Sequence, residues 1–196
     1  MKKSYIAIFV VVIIFIWIIG YSSLGIKNDI GSNTEYKCNV KHLNLATTIE
    51  INKENEYFAK VTGNIFTFIT DPLTMIDSDG NKVAYAGDEY HFIAQDSHSV
   101  FVDGEVTAEM VGKVEFFGEE YDIYDKDGKK IASVKFNESN TDGEMYDTNG
   151  NLIADYNSKL GFYDFDVRIT DKCTIDEKTV LMIFCSYYSD QSADSN

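Results

Sequence analysis

Within residues 162–169 apolar and polar positions alternate from Tyr163 on: Tyr163, Phe165, Val167 and Ile169 fall on one side, Asp164, Asp166 and Arg168 on the other. A period of two marks a β-strand with one buried face. Less regular runs of the same kind predict strands at 57–62, 65–70, 73–77, 82–86, 89–94, 98–102, 106–110, 113–117, 121–124, 130–136, 143–147 and 152–156. Near the C-terminus the pattern changes. Residues 179–189 (TVLMIFCSYYS) are almost uninterruptedly apolar, too short for a bilayer span of about 20 residues. They follow Thr174-x-x-Glu177, the spacing of a capping box. A helix over 176–189 is expected, although a buried strand of the same length has the same pattern. Such a helix is apolar at every angle, leaving no face for water, so the rest of the domain must enclose it.

The turns between the strands recur. Asp79-Gly80, Asp103-Gly104, Asp127-Gly128 and Asn149-Gly150 are spaced 24, 24 and 22 residues apart, and Asp-Gly or Asn-Gly supplies the positive φ of tight hairpins. Three of the four lie in a longer repeat, apolar-x-Asp-x-Asp/Asn-Gly-x-x-apolar-Ala, at 75–84, 123–132 and 145–154. Roughly a dozen antiparallel strands in an open sheet would leave exposed edges, and closure into a barrel removes them. A barrel of that size is too wide for strand side chains alone to fill, and the apolar C-terminal helix is the natural plug. The fold class expected is therefore all-β with one buried helix, a twelve-stranded antiparallel barrel around a C-terminal hydrophobic helix.

The repeated hairpins, together with Val180-Leu-Met-Ile-Phe-Cys-Ser-Tyr-Tyr-Ser-Asp190, resemble the tubby C-terminal-like superfamily in its LURP-one-related and phospholipid-scramblase branch. The resemblance covers about residues 57–190. It implies a twelve-stranded barrel enclosing a hydrophobic C-terminal helix that is closed by an Asp, here Asp190. It also implies a lipid-related role of the scramblase kind. Tubby-type phosphoinositide binding needs a basic patch, which this chain lacks.

Ahead of the barrel stands a different kind of segment. Lys2 and Lys3 precede the uncharged stretch 5–21, YIAIFVVVIIFIWIIGY, which predicts a transmembrane signal anchor. Gly20-Tyr21-Ser22-Ser23 is a poor cleavage site beside the Ala-x-Ala pattern of a removable signal peptide, the competing reading. Trp17 and Tyr21 suit an interfacial belt, and the two lysines hold the N-terminus in the cytoplasm. Residues 22–37, rich in Gly, Ser and Asn, read as a linker, 38–190 as an extracytoplasmic barrel domain, and 191–196 as a disordered tail.

Charge narrows the partners. The 196 residues carry 17 Lys+Arg against 32 Asp+Glu, a net −15. Such a field repels nucleic acid and anionic headgroups, which leaves the membrane, through the N-terminal helix, and a protein or envelope component. The Asp-x-Asp-Gly turns lack an EF-hand's first ligand, since Met75, Ile123 and Met145 occupy its place. His42, His91 and His98 have no metal-ligand spacing. His98-Ser99 beside Asp96 lacks the Gly-x-Ser-x-Gly elbow of a serine hydrolase. No P-loop or dinucleotide fingerprint is present, so no cofactor is expected. Glu119, Glu120, Asp122 and Asp125 are carboxylates dense enough for a glycosidase pair, a matter that their spatial separation decides. No catalytic constellation emerges, and the expectation is a non-catalytic, membrane-anchored interaction module of the cell envelope, with scramblase-like lipid handling as the alternative. Cys185 suits the core helix. Cys38 and Cys173 remain, either as a disulfide closing a long loop in an exported domain or as two free thiols.

Overall fold

The computed structural model describes residues 33–43, 46–64, 73–87, 97–113, 119–158 and 164–194. The predicted anchor over 5–21 and the predicted strands at 65–70, 89–94 and, past Lys113, 113–117 lie outside them. Twelve strands are described: β1 (Asn33–Leu43), β2 (Ala46–Lys53), β3 (Glu56–Asn64), β4 (Leu73–Asp77), β5 (Lys82–Gly87) and β6 (Ser97–Val102). They continue as β7 (Glu105–Lys113), β8 (Glu119–Tyr124), β9 (Lys130–Phe136), β10 (Asp142–Asp147), β11 (Leu152–Ser158) and β12 (Phe165–Thr170), followed by helix α1 (Glu177–Asp194). Each strand pairs antiparallel with its sequence neighbours, and β12 returns to β1 with Asn33 opposite Thr170, closing the barrel. Among the described residues no helix is long and apolar enough to cross a membrane.

Ten of these strands stand where the alternation predicts them. The other two, β1 and β2, lie ahead of the predicted strands, which begin at residue 57, although both alternate apolar and polar residues. In β1 the inward positions are Tyr36, Cys38 and Val40, a short and chemically mixed set between Glu35, Lys37, Asn39 and Lys41. That alternation is the period of a strand with one buried face, and β1 pairs with β12 on one side and β2 on the other. The barrel thus begins at Asn33, inside the stretch read as a linker. At the other end α1 runs on to Asp194, past Asp190 and through most of the stretch read as a disordered tail.

The wall is apolar inside and charged outside. Ile49 and Ile51, Met145, and Val167 and Ile169 point inward from β2, β10 and β12, while outer positions carry side chains such as Lys41, Glu50, Lys135, Glu144 and Arg168. The interior belongs to α1. From Val180 to Tyr188 every residue is between 0 and 9 % exposed. Ala84, Ala86 and Ala108 on β5 and β7 are small, and α1 packs closest to β5 and β6. The remaining width is filled by rings: Phe184 against Phe136 and Tyr156, Tyr187 against Tyr121 and Phe136, Tyr188 against Phe165.

Two kinds of hairpin explain why only three of the four glycine turns share the longer repeat. In the repeat turns, Gly80, Gly128 and Gly150 have φ of 86°, 74° and 82° and donate their N–H to the carbonyls of Asp77, Asp125 and Asp147. This is a type I turn with a left-handed residue after it. The repeat's Asp stabilises it: Asp77 Oδ1 accepts the N–H of Asp79 at 2.9 Å and of Asn81 at 2.8 Å, and Asp125 and Asp147 do the same. The β6–β7 turn has Asp103 and Gly104 both at positive φ, 50° and 85°, a two-residue turn that needs no such Asp. Because the strands run up and down, all four turns lie at the end of the barrel where α1 enters.

Candidate functional site

Polar side chains converge on α1 at both of its ends. At its start, Asp176 Oδ1 accepts the N–H of Lys178 at 3.0 Å and of Thr179 at 3.3 Å. Asp176 is therefore the N-cap, and the capping box expected from Thr174 and Glu177 does not form. Glu177 is instead the first helical residue and turns outward. Its carboxylate accepts a short hydrogen bond from the Tyr36 hydroxyl and meets Lys53 Nζ at 2.9 Å. Lys53 Nζ also lies 5.5 Å from the Tyr36 ring and 5.7 Å from the Phe58 ring, close enough for cation–π attraction. Across the barrel mouth, Thr179 shares a 2.8 Å hydrogen bond with Thr107. At the far end, Gln191 donates to Glu119 Oε1 at 2.9 Å and accepts from Asn140 at 2.6 Å.

The electrostatics of the first cluster favour holding over reacting. Burial, and then the hydrogen bond to Glu177, push the Tyr36 phenol well above its ordinary value, so it stays a donor at any physiological pH. Burial alone would raise the Glu177 carboxyl, but Lys53 and Tyr36 outweigh it and leave the group below the usual carboxylate range. A neutral donor, an ionised acceptor and a cation form a closed set.

The carboxylates singled out from the sequence separate. Glu119 accepts the Tyr121 hydroxyl at 2.7 Å as well as Gln191. Glu120 and Asp122 point to the outer face, where Glu120 meets Lys113 at 2.7 Å and Lys135 at 2.9 Å, and Asp122 meets Lys113 at 2.9 Å and Lys130 at 2.5 Å. Burial opposes ionisation of both, yet the lysines hold both below the usual range. A glycosidase needs one carboxyl raised to act as the acid, and neither is. Asp125 is committed to its turn. His98 and Ser99 are strand neighbours and so face opposite sides of the wall. Asp96 and His91 lie outside the described residues, as does the side chain of His42.

The cysteines are rearranged more thoroughly. All three are free thiols. Cys38 stands opposite Phe165, whereas Cys173 follows Thr170, which stands opposite Asn33. Five strand positions, at about 3.3 Å each, separate those levels, well beyond the ~7 Å limit between bridged Cα atoms. Of the two readings the sequence leaves open, a Cys38–Cys173 bridge does not fit these levels, and the two stand as free thiols.

Sequence reasoning missed the Tyr36–Lys53–Glu177 cluster, whose members lie up to 141 positions apart. It also missed Glu109, a fully buried carboxylate on β7 facing the buried Ser99 of β6. Nothing in the local pattern separates either from ordinary solvated charges.

Fold and site together define a twelve-stranded antiparallel barrel closed around its own C-terminal helix, with polar clusters fastening the helix at both ends. A scan against protein-family models finds no match, and a search among curated proteins finds none that matches.

Proposed function

We propose that this chain is a membrane-anchored, extracytoplasmic barrel of the tubby C-terminal-like kind, close to the LURP-one-related branch, and that it works by binding a protein or envelope component and not by catalysis. The observation that carries this reading is the occupied interior: nine consecutive helical residues, Val180 to Tyr188, fill the space where a barrel of this width would otherwise hold a ligand. Recognition then falls to the outer wall and the two rims. The charge of −15 disfavours nucleic acid and anionic lipid on those surfaces.

The test is cysteine labelling of intact cells with a membrane-impermeant maleimide, using Ser23→Cys in the linker and Ser78→Cys in an exposed turn, each in a Cys173→Ser background. Labelling from outside supports export and directs the search to envelope partners. Protection until the cells are opened inverts the topology and removes the envelope partner. The second reading, scramblase-like lipid handling, has in its favour the barrel-around-helix architecture that the family resemblance implies. It requires the reconstituted full chain to move labelled phospholipid between leaflets, and a chain that leaves the label in place excludes it.

A further inference from the structure

Two thiols, Cys38 on β1 and Cys185 on α1, are buried in the barrel interior. Around α1 the side chains advance by about 100° per residue, and their order follows the order of the strands. Tyr187 meets β8 and β9, Phe184 meets β9 and β11, and Tyr188 meets β12. The next direction in that rotation belongs to Cys185, and the next strand is β1. On β1 the inward residue opposite Phe165, the ring that Tyr188 stacks on at 5.1 Å, is Cys38. Cys185 lies near enough to push the Cys38 thiol up, after burial, and both thiols act on the Tyr156 hydroxyl.

We propose that Cys38 and Cys185 are a disulfide-forming pair, bridged when the domain folds under oxidising conditions, so that α1 is covalently tied to the strand that closes the barrel. The proposal rests on the export reading for its setting in the cell, and on the barrel geometry for the pairing. In the step itself, each thiol loses a proton, an Sγ–Sγ bond forms, and two electrons pass to a disulfide oxidant whose own S–S bond breaks to give two thiols. Timing follows from burial. Cys38 is 1 % exposed and Cys185 fully buried, and burial pushes the Cys185 thiol up to about 12 and that of Cys38 upward as well. The thiolate is the reactive species, so in the closed barrel neither thiol is reachable or activated. The bond forms as the helix docks against β1, while an oxidant still reaches the thiols, and the finished bridge is shielded from reductants.

The experiment has two arms. The purified full chain is unfolded, reduced and refolded in a mixture of oxidised and reduced glutathione, then quenched in acid, alkylated under denaturing conditions and mapped without reduction. The expected result is a Cys38–Cys185 peptide pair, a mass lower by two hydrogen atoms, and an alkylated Cys173. The pair persists in Cys173→Ser, which alters only a half-buried turn thiol, and is lost in Cys185→Ser. Alkylation of all three cysteines, or a Cys38–Cys173 pair, overturns the proposal. The second arm traps the chain in cells with acid and alkylates it. A bridge found there supports pairing and export together. A bridge found in the refolded chain and absent in cells supports the pairing and counts against export.

Discussion

Replacing Phe184 by Ala decides whether α1 is the core of the barrel or an attachment to it. The Phe184 ring is fully buried, 6.1 Å edge-on from Phe136 and 5.7 Å from Tyr156. Truncating a core Phe costs about 3–5 kcal/mol, the larger figure where the surroundings cannot collapse. Here they cannot collapse readily, because β9 and β11 are each hydrogen-bonded on both sides in a closed wall. The two lost ring pairs account for about 0.5–1.5 kcal/mol each of that total. A loss of about 4 kcal/mol is therefore expected, a large part of the ~5–15 kcal/mol that holds a domain together. Urea unfolding should be followed at the same time by far-UV circular dichroism at helix-sensitive wavelengths and by the β-sheet amide band in the infrared, which reports the barrel wall. In the wild type the two transitions should coincide, and in Phe184→Ala both should move together to lower urea. A loss below about 1 kcal/mol, or a helical signal that melts before the wall, refutes the reasoning and makes α1 a detachable element.

Three further perturbations test separate steps. Glu177 has a depressed carboxyl pKa, so its pairing with Lys53 and Tyr36 stabilises the fold above the unfolded carboxylate value of about 4.3 and is lost as pH falls through the lower folded value. Because Glu177 is more than one-third exposed, Glu177→Gln should cost only about 1 kcal/mol at pH 7, and the gap to wild type should shrink in parallel urea titrations as pH falls through the lowered folded value. Gly104 sits at φ 85° and Gly112 does not have positive φ, so Gly104→Ala should lower stability by about 1 kcal/mol. Gly112→Ala, whose new methyl would rest 3.7 Å from the Tyr121 ring, should change it by well under that or raise it slightly; equal effects in a thermal melt would argue against the turn assignment. Gly143 is the gap that admits the Phe136 ring, which a Cβ would meet at 2.5 Å. Gly143→Ala should cost about 1–3 kcal/mol by overpacking, and Phe136→Leu in the same chain should recover part of it.

The local elements of this protein are written in short stretches of sequence, because they depend on near neighbours. Period-two alternation places ten strands, and an Asp three residues ahead of each repeat glycine sets a turn through hydrogen bonds spanning at most four positions. An apolar run with no polar side announces that α1 must be enclosed, since burial on all faces is a property of the segment itself. The necessity of closure, and of something to fill the barrel, follows from strand number alone.

Which residues meet inside that barrel is another matter. β1 and β2 do alternate, Tyr36, Cys38 and Val40 against Glu35, Lys37, Asn39 and Lys41, and Ile49 and Ile51 against Glu50 and Asn52, but that β1 closes the barrel against β12 is decided only by pairing across the whole chain. Tyr36 and Glu177 are unremarkable until closure brings the first strand against the first turn of the helix. Glu119, Glu120 and Asp122 look alike in sequence, and the wall sends one to a helix glutamine and the others to three lysines. Cys38 is parted from Cys173 by the antiparallel register of β1 on β12, and turned toward Cys185 by the rotational phase of a helix far along the chain. Periodicity in sequence determines the faces each segment presents. Only the closed tertiary structure determines which faces touch, because side-chain contacts across a barrel depend on register, strand order and helix phase together, and no stretch of neighbouring residues contains all three.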